Sequence, residues 1–219
     1  MEEKIITYKG DEIKVTFDVN RCIHSAECTN GLPEVFDVDK KPWVQPDNSS
    51  PGKVAKVIHR CPTGALQYER LDGKENETPP KQNKITLGKN GPVYMYGDIE
   101  IQNGDGDVVL EDTRFALCRC GESTNKPACD NSHEEIEFTA DESSDLEKFP
   151  VTENESHGKL ILKLMKNGPV LVEGTYNMQE NKGQFSQSDK NMALCRCGGS
   201  SNKPFCDGSH KDIGFKTSE

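Results

Sequence analysis

Aromatic residues are scarce in this chain of 219 residues: Phe, Trp and Tyr make up 6%, with a single Trp. The whole apolar set reaches only 32%. A chain so lean cannot fill one large core, and small units that bury little surface per residue lean on metals or cross-links. Long apolar runs are missing too. No stretch approaches the roughly 20 residues that span a bilayer, and the start, Met1-Glu2-Glu3-Lys4, has no apolar signal core. The expectation is a cytoplasmic protein without membrane association. Basic residues are outnumbered, 27 Lys and Arg against 37 Asp and Glu, for a net charge of −10. A nucleic-acid surface needs the opposite balance. There is no Ser–His–Asp pattern, no phosphate-binding glycine loop and no dinucleotide fingerprint. Gly104-Asp105-Gly106-Asp107 is too short for a calcium loop. Nothing here reads as an enzyme.

Cysteine, by contrast, is plentiful. Nine is an odd number, so the set cannot be fully paired, and a reducing compartment favours metal sites over disulfides. Six of the nine fall in an internal repeat. Lys89-Asn90-Gly91-Pro92-Val93 recurs as Lys166-Asn167-Gly168-Pro169-Val170, and Cys118-Arg119-Cys120-Gly121 as Cys195-Arg196-Cys197-Gly198, both at an offset of 77. From Leu117 to His133, 13 of 17 positions equal their partners from Leu194 to His210.

The repeats occupy residues 84–140 and 160–219, and residues 1–72 form an unrelated unit. Residues 71–83, LDGKENETPPKQN, read as a polar linker, and Thr139 to His157 as an acidic, solvated connector. Short β-like runs open each repeat (Lys84–Leu87, Leu160–Leu164), Asn-Gly-Pro turns follow, and Gly97 and Gly174 interrupt the next strands. The first unit alternates from Glu12 to Val19, with Ile13, Val15, Phe17 and Val19 on one face. Pro51 to Arg60 has helix chemistry behind Ser50 as N-cap, and Ala65 to Tyr68 closes as a strand. The fold class is α+β: a small N-terminal domain and a mostly β tandem repeat.

Each repeat offers C-x-C-x8-C-x3-H: Cys118, Cys120, Cys129 and His133, then Cys195, Cys197, Cys206 and His210. Three thiolates and an imidazole suit zinc or an iron–sulfur cluster. Structural zinc favours wider C-x2-4-C hooks, whereas a C-x-C pair can bind one edge iron of a two-iron cluster.

The strings C-R-C-G-x-S-x-N-K-P-x-C-D-x-S-H resemble the mitoNEET-like CDGSH iron–sulfur family over about half the chain. The resemblance implies that Cys118 and Cys120 hold one iron of a 2Fe–2S cluster, and Cys129 and His133 the other. Cys195, Cys197, Cys206 and His210 would repeat this. It also implies an intramolecular pseudo-dimer in a monomeric chain, for which strand pairing between the repeats is expected near Val93 and Val170. Repeat two carries the full Cys206-Asp207-Gly208-Ser209-His210; repeat one has Asn131 for Gly208, and Asn tolerates a left-handed backbone. Asp130 and Asp207 can cap the turn that bears the His, Ser123 and Ser200 can donate toward cluster sulfur, and Pro127 and Pro204 stiffen the loop. Replacing a thiolate by a neutral imidazole removes one negative charge, which raises the potential. The free ring nitrogen of such a ligand can take a proton, which would couple electron transfer to pH.

Cys22, Cys28 and Cys61 remain. Their C-x5-C and distant Cys61-Pro62 outline a bacterial ferredoxin without its middle cysteine, whose place falls to Ser25. Arg21 to Ser25, Lys41 to Val44 and Cys61 to Leu66 resemble the divergent single-cluster ferredoxin domain. Three thiolates imply a 3Fe–4S cluster. The alternative, 4Fe–4S, needs a fourth ligand from Ser25, His24 or water. Three cluster sites in an acidic chain point to electron transfer with redox partner proteins. The alternatives are a cluster donor to apo iron–sulfur acceptors or a redox and pH sensor, and, further off, a zinc-binding interaction module.

Overall fold

The computed structural model describes residues 4–140, 158–179, 185–188 and 191–217; most of the acidic connector, with His157, lies outside them. The chain divides into two units, the first ending at Thr78 and the second starting at Pro79.

In the first unit, β1 (Ile5–Lys9), β2 (Ile13–Asp18) and β3 (Leu66–Arg70) form an antiparallel sheet with β2 in the middle. The alternation of β2 buries Ile13 and Val15 and packs Phe17 onto the same core. Val19 does not extend the strand: the Asp18 carboxylate accepts the Asn20 N–H at 3.0 Å and turns the chain into a 3-10 turn, Val19–Arg21. A short helix α1 (Glu27–Gly31) and the helix α2 (Pro51–Ile58) cover the sheet's core. α2 buries Val54, Ala55, Val57 and Ile58, as its periodicity requires. Ser50 is its N-cap by position, but its side chain makes no capping bond. Trp43 meets Tyr8 and Phe17 edge-on, at ring separations of 6.2 and 5.0 Å.

The second unit is built on one eight-stranded sheet. The first repeat gives β4 (Lys84–Leu87), β5 (Val93–Gln102), β6 (Val108–Leu117) and the helical turn α3 (Ser132–Glu135). The second gives β7 (Leu160–Leu164), β8 (Val170–Glu173), β9 (Tyr176–Gln179), β10 (Phe185–Ser188), β11 (Met192–Leu194) and the turn α4 (Ser209–Asp212). The order is β10-β9-β4-β5-β7-β8-β11, with β6 on β5.

The pairing expected near Val93 and Val170 does not occur. Val93 pairs with Leu87 and Leu117, and Val170 with Leu164 and Leu194, all within their own repeats. The repeats join further along. β5 runs parallel to β7 with Glu100 opposite Ile161, and β9 runs parallel to β4 with Asn177 opposite Lys84. At the offset of 77, these two registers are one contact with the repeats exchanged. The cause lies at the glycines. Gly97 does not end β5; the register with β6 shifts between Tyr96 and Ile99, and there the strand passes from β4 to β7. Gly174, at φ +111°, does split β8 from β9.

Asn83, read from sequence as the last residue of a linker, sits buried at this crossing. Its amide donates to the carbonyls of Gly158 at 2.8 Å and Thr175 at 2.9 Å, and its oxygen accepts the Asp98 N–H at 2.9 Å. The oxygen fills the space that a side chain on Gly97 would need. Around the crossing one hydrophobic cluster draws on both repeats, from Ile85, Met95 and Phe115 to Leu162, Val172 and Leu194. No described helix is long and apolar enough to cross a membrane. Replacing Asn83 by Ala leaves two carbonyls and an N–H without this partner. The expected loss is about 1–3 kcal/mol, read as a lower urea midpoint with the same slope.

Candidate metal centres

The cysteine loops hang from the ends of β6 and β11 by matched ladders. Cys118 N–H donates to the Pro127 carbonyl at 2.9 Å and Cys129 N–H to Ala116 at 2.8 Å; Cys195 to Pro204 and Cys206 to Ala193 are both 2.8 Å. Each ladder brings the C-x-C pair beside the third cysteine. The Sγ atoms of Cys118 and Cys120 lie 3.7 Å apart, as do those of Cys195 and Cys197. His133 Nδ1 lies 3.4 Å from Cys129 Sγ, and His210 Nδ1 lies 3.4 Å from Cys206 Sγ. All eight expected donors therefore gather as two pairs per repeat, with Nδ1 facing sulfur. Among the described residues no three His, Cys, Asp or Glu side chains are gathered tightly enough for one metal ion.

Burial and hydrogen bonding set the protonation of these thiols. A hydrogen bond with Cys120, together with burial, pushes Cys118 far up; the same bond draws Cys120 down to about 7 against its burial. Burial pushes Cys129 up to about 12 and lowers His133. Burial also raises Cys197. Backbone N–H groups already point at sulfur, from Asn131 to Cys129 at 3.5 Å and from Gly121 and Ser123 to Cys118. Such donors stabilise thiolate. Soft donors in pairs with N–H groups aimed at them fit an iron–sulfur cluster.

In the first unit, Cys22 follows the 3-10 turn, Cys28 lies in α1 and Cys61 follows α2. They line one cavity of about 660 Å³ together with His24, Ser25 and Trp43. Burial raises Cys22 and Cys28, partly offset by the N–H groups of His24 and Thr29, and Cys61 raises both through charge repulsion. The connecting loop takes left-handed backbone at His24 (φ 55°) and Ala26 (φ 58°), which turns it around the cavity. This set also fits an iron–sulfur cluster.

Comparison with known proteins agrees. Residues 8–71 match a family described as a divergent 4Fe–4S mono-cluster. Residues 90–134 and 167–211 each match a family described as an iron-binding zinc finger of CDGSH type. The chain carries a divergent 4Fe–4S mono-cluster domain followed by two tandem CDGSH domains. The uncharacterized protein YjdI of Escherichia coli K12 is 43% identical over 61 residues, which is 28% of this chain and 80% of the relative. YjdI of Escherichia coli O157:H7 matches to the same extent. No solved structure matches. The mono-cluster description names four irons, where three cysteines led to an expectation of three.

Within the CDGSH repeats the supporting residues differ partly from expectation. Ser123 and Ser200 do not donate to sulfur. Their hydroxyls donate to the carbonyls of Ala128 at 2.6 Å and Phe205 at 2.7 Å, and accept the N–H of Asn125 and Asn202. Asn131 and Gly208 both take the left-handed conformation, at φ 77° and 94°. Arg119 and Arg196, to which the sequence assigned nothing, are 1% exposed. Arg119 donates to the carbonyls of Gly91 (2.9 Å) and Gly88 (2.6 Å), and Arg196 to those of Gly168 (3.1 Å) and Met165 (2.8 Å). Each lies over a ring, Phe138 or Phe215. Their position between the two cysteines was the available signal. The final glycines of the C-R-C-G strings had no assigned role either. A methyl on Gly121 would stand 2.5 Å from the Cys197 carbonyl, and one on Gly198 would strike that of Cys120, so the two loops touch.

Asp130 ties its loop together. One oxygen accepts the Ser132 N–H and hydroxyl at the start of α3, and the other accepts those of Thr124. Burial opposes ionisation, but these four bonds outweigh it and hold the carboxyl at about 2. The folded value lies below the unfolded value of about 3.9. Its stabilisation is therefore full above pH about 4 and is lost as pH falls toward 2. Asp130→Asn should melt at a lower temperature than the parent near neutrality, and the gap should close as melts are repeated toward pH about 2.

Proposed function

We propose that this chain is an electron carrier with three iron–sulfur centres, and that His133 and His210 are ligands. The observation that carries the reading is the repeated pair of a cysteine and His Nδ1 at 3.4 Å. Clusters held this way supply one-electron chemistry. The protein's part is to provide three thiolates and one neutral imidazole per site, and to keep Nε2 free to take a proton. The two donor pairs of each repeat support a 2Fe–2S site. At the N-terminal site the family description supports 4Fe–4S, with Cys22, Cys28 and Cys61 as thiolate ligands and His24 or Ser25 beside the fourth iron.

The exchanged strand registers support a pseudo-two-fold in which one chain supplies both halves of a CDGSH pair, as a monomer. A net charge of −10 favours encounter with basic patches on redox partners. We read the protein as cytoplasmic and as no enzyme. One observation favours a second reading, cluster donation to an apo acceptor or sensing: Cys197, Cys206 and His210 are only half-buried, so a cluster there is open to exchange.

Protein purified without oxygen should be coloured and hold about eight irons and eight sulfides per chain. About seven irons would restore the three-iron centre, and colourless protein with stoichiometric zinc would overturn the reading. Light scattering should give a mass near 24.3 kDa.

The variant His133→Cys/His210→Cys adds a negative charge at each site and removes the titrating ligand. Both potentials should fall and become flat with pH; in the parent they should decline as pH rises through the imidazole range, because the proton that favours the added electron is lost. Transfer of iron and sulfide to an apo-ferredoxin, assayed at about pH 6 and pH 8, should drop in this variant if donation is the role, while electron transfer to an external acceptor continues.

A further inference from the structure

The two CDGSH sites have the same backbone, the same donors and the same distances, so what differs between them is their surroundings. Residues 118–139 contain two basic and five acidic side chains; residues 195–216 contain four basic and two acidic, a change in formal charge from −3 to +2. The changes lie on the exposed rim of each site. Glu122 becomes Gly199, Glu134 becomes Lys211, Glu137 becomes Gly214 and Thr139 becomes Lys216, and all eight positions are exposed. Glu134 and Lys211 each follow the site's histidine directly, on the turns α3 and α4. Glu134 is close enough to act through charge on both Cys129 and His133.

Burial differs in the same sense. Cys118, Cys120 and Cys129 are all buried, whereas Cys197 and Cys206 are half-buried. Adding an electron makes a thiolate-held site more negative. Nearby cations and solvent favour that change, and nearby anions and burial oppose it. Charge and burial therefore act together.

We infer that the second-repeat site is the electron sink of the pair: Lys211 and Lys216 raise its potential, Glu134 and Glu137 lower that of the first, and a single electron given to the tandem unit rests in the second repeat. This inference rests on the electron-carrier reading above. The step is one electron from a reduced donor, dithionite in the test below, taking one ferric ion of that site to ferrous with no bond made or broken. Lys211 and Glu134 act as positioning residues for charge, so their effect is read as a potential.

The test is a reductive titration of the whole chain with dithionite, without oxygen and at fixed pH, followed by electron paramagnetic resonance. Two 2Fe–2S centres should be reduced in sequence, separated by at least about tenfold in occupancy, which is 59 mV for one electron. Cys206→Ser should remove the first centre to be reduced, and Cys129→Ser the second. Where a ligand variant fails to fold, the rim variants decide: Lys211→Glu should lower the upper potential, Glu134→Lys should raise the lower one, and both together should close the gap. Lys211→Arg should change neither. Centres that are reduced together, that follow the reverse order, or that ignore the rim charges overturn this inference and leave the carrier reading standing. A chain with no reducible 2Fe–2S signal overturns both.

Discussion

Neither CDGSH repeat closes a core alone, and the rest of the unit follows from that. β4 needs β9 from the other copy, and β7 needs the far half of β5. A fully buried Leu, Ile or Val contributes about 1.5–3 kcal/mol at most. A repeat of this size, with so few aromatics, cannot bury enough of them by itself. By exchanging strands the two copies place Ile85, Ile101, Leu162 and Val172 in one cluster with no exposure above 1%. The cysteine loops inherit their positions from this exchange. They begin where β6 and β11 end, and their backbones meet at Gly121 with Cys197 and Gly198 with Cys120. A side chain at either glycine would force apart the loops that carry the metal donors.

The clusters of cysteine and histidine were legible in the sequence because spacing carries them. A cysteine pair one residue apart, a third cysteine and a histidine four residues later are all local features, and the repeat states them twice. The strand exchange was not legible. Gly97 and Gly174 are the same residue at the same point of the repeat, yet one sits inside a continuous strand and the other separates two. What decides between them is a partner far away in sequence. Asn83 shows the same limit. Its neighbours made it look like linker, but it donates to carbonyls 75 and 92 residues further on. Ser123 and Ser200 failed for another reason. Their hydroxyls had two chemically sensible acceptors, sulfur and a carbonyl, and only the loop's shape selects the carbonyl.

The N-terminal domain shows what a cysteine count can and cannot give. Three cysteines fix three thiolates but do not fix the number of irons. Ser25 occupies the place that a middle cysteine would take, and the left-handed residues on either side of it, His24 and Ala26, keep the loop wrapped around the cavity. That conformation costs a non-glycine residue energy and persists where surrounding structure holds it. The loop thus stays around the cavity with Ser25, not a thiol, at its centre.

Arg119 and Arg196 join the folding and electronic arguments. A guanidinium taken out of water is costly unless its donors are satisfied and its charge is balanced. The carbonyls of Gly88 and Gly91, or of Met165 and Gly168, satisfy donors but bring no charge. Beside Arg119 the flanking cysteines can add negative charge as thiolates: their mutual hydrogen bond, helped by burial, pushes Cys118 up, and the same bond draws Cys120 down to about 7, and a bound metal displaces thiol protons. Metal loading would then do two things at once. It would create thiolates beside the buried arginine, and through that arginine it would tie the Asn-Gly-Pro turn to the cysteine loop. The guanidinium, already fixed between the two cysteines, would also favour any negative charge added to a cluster there, so the element that closes the loop would ease reduction.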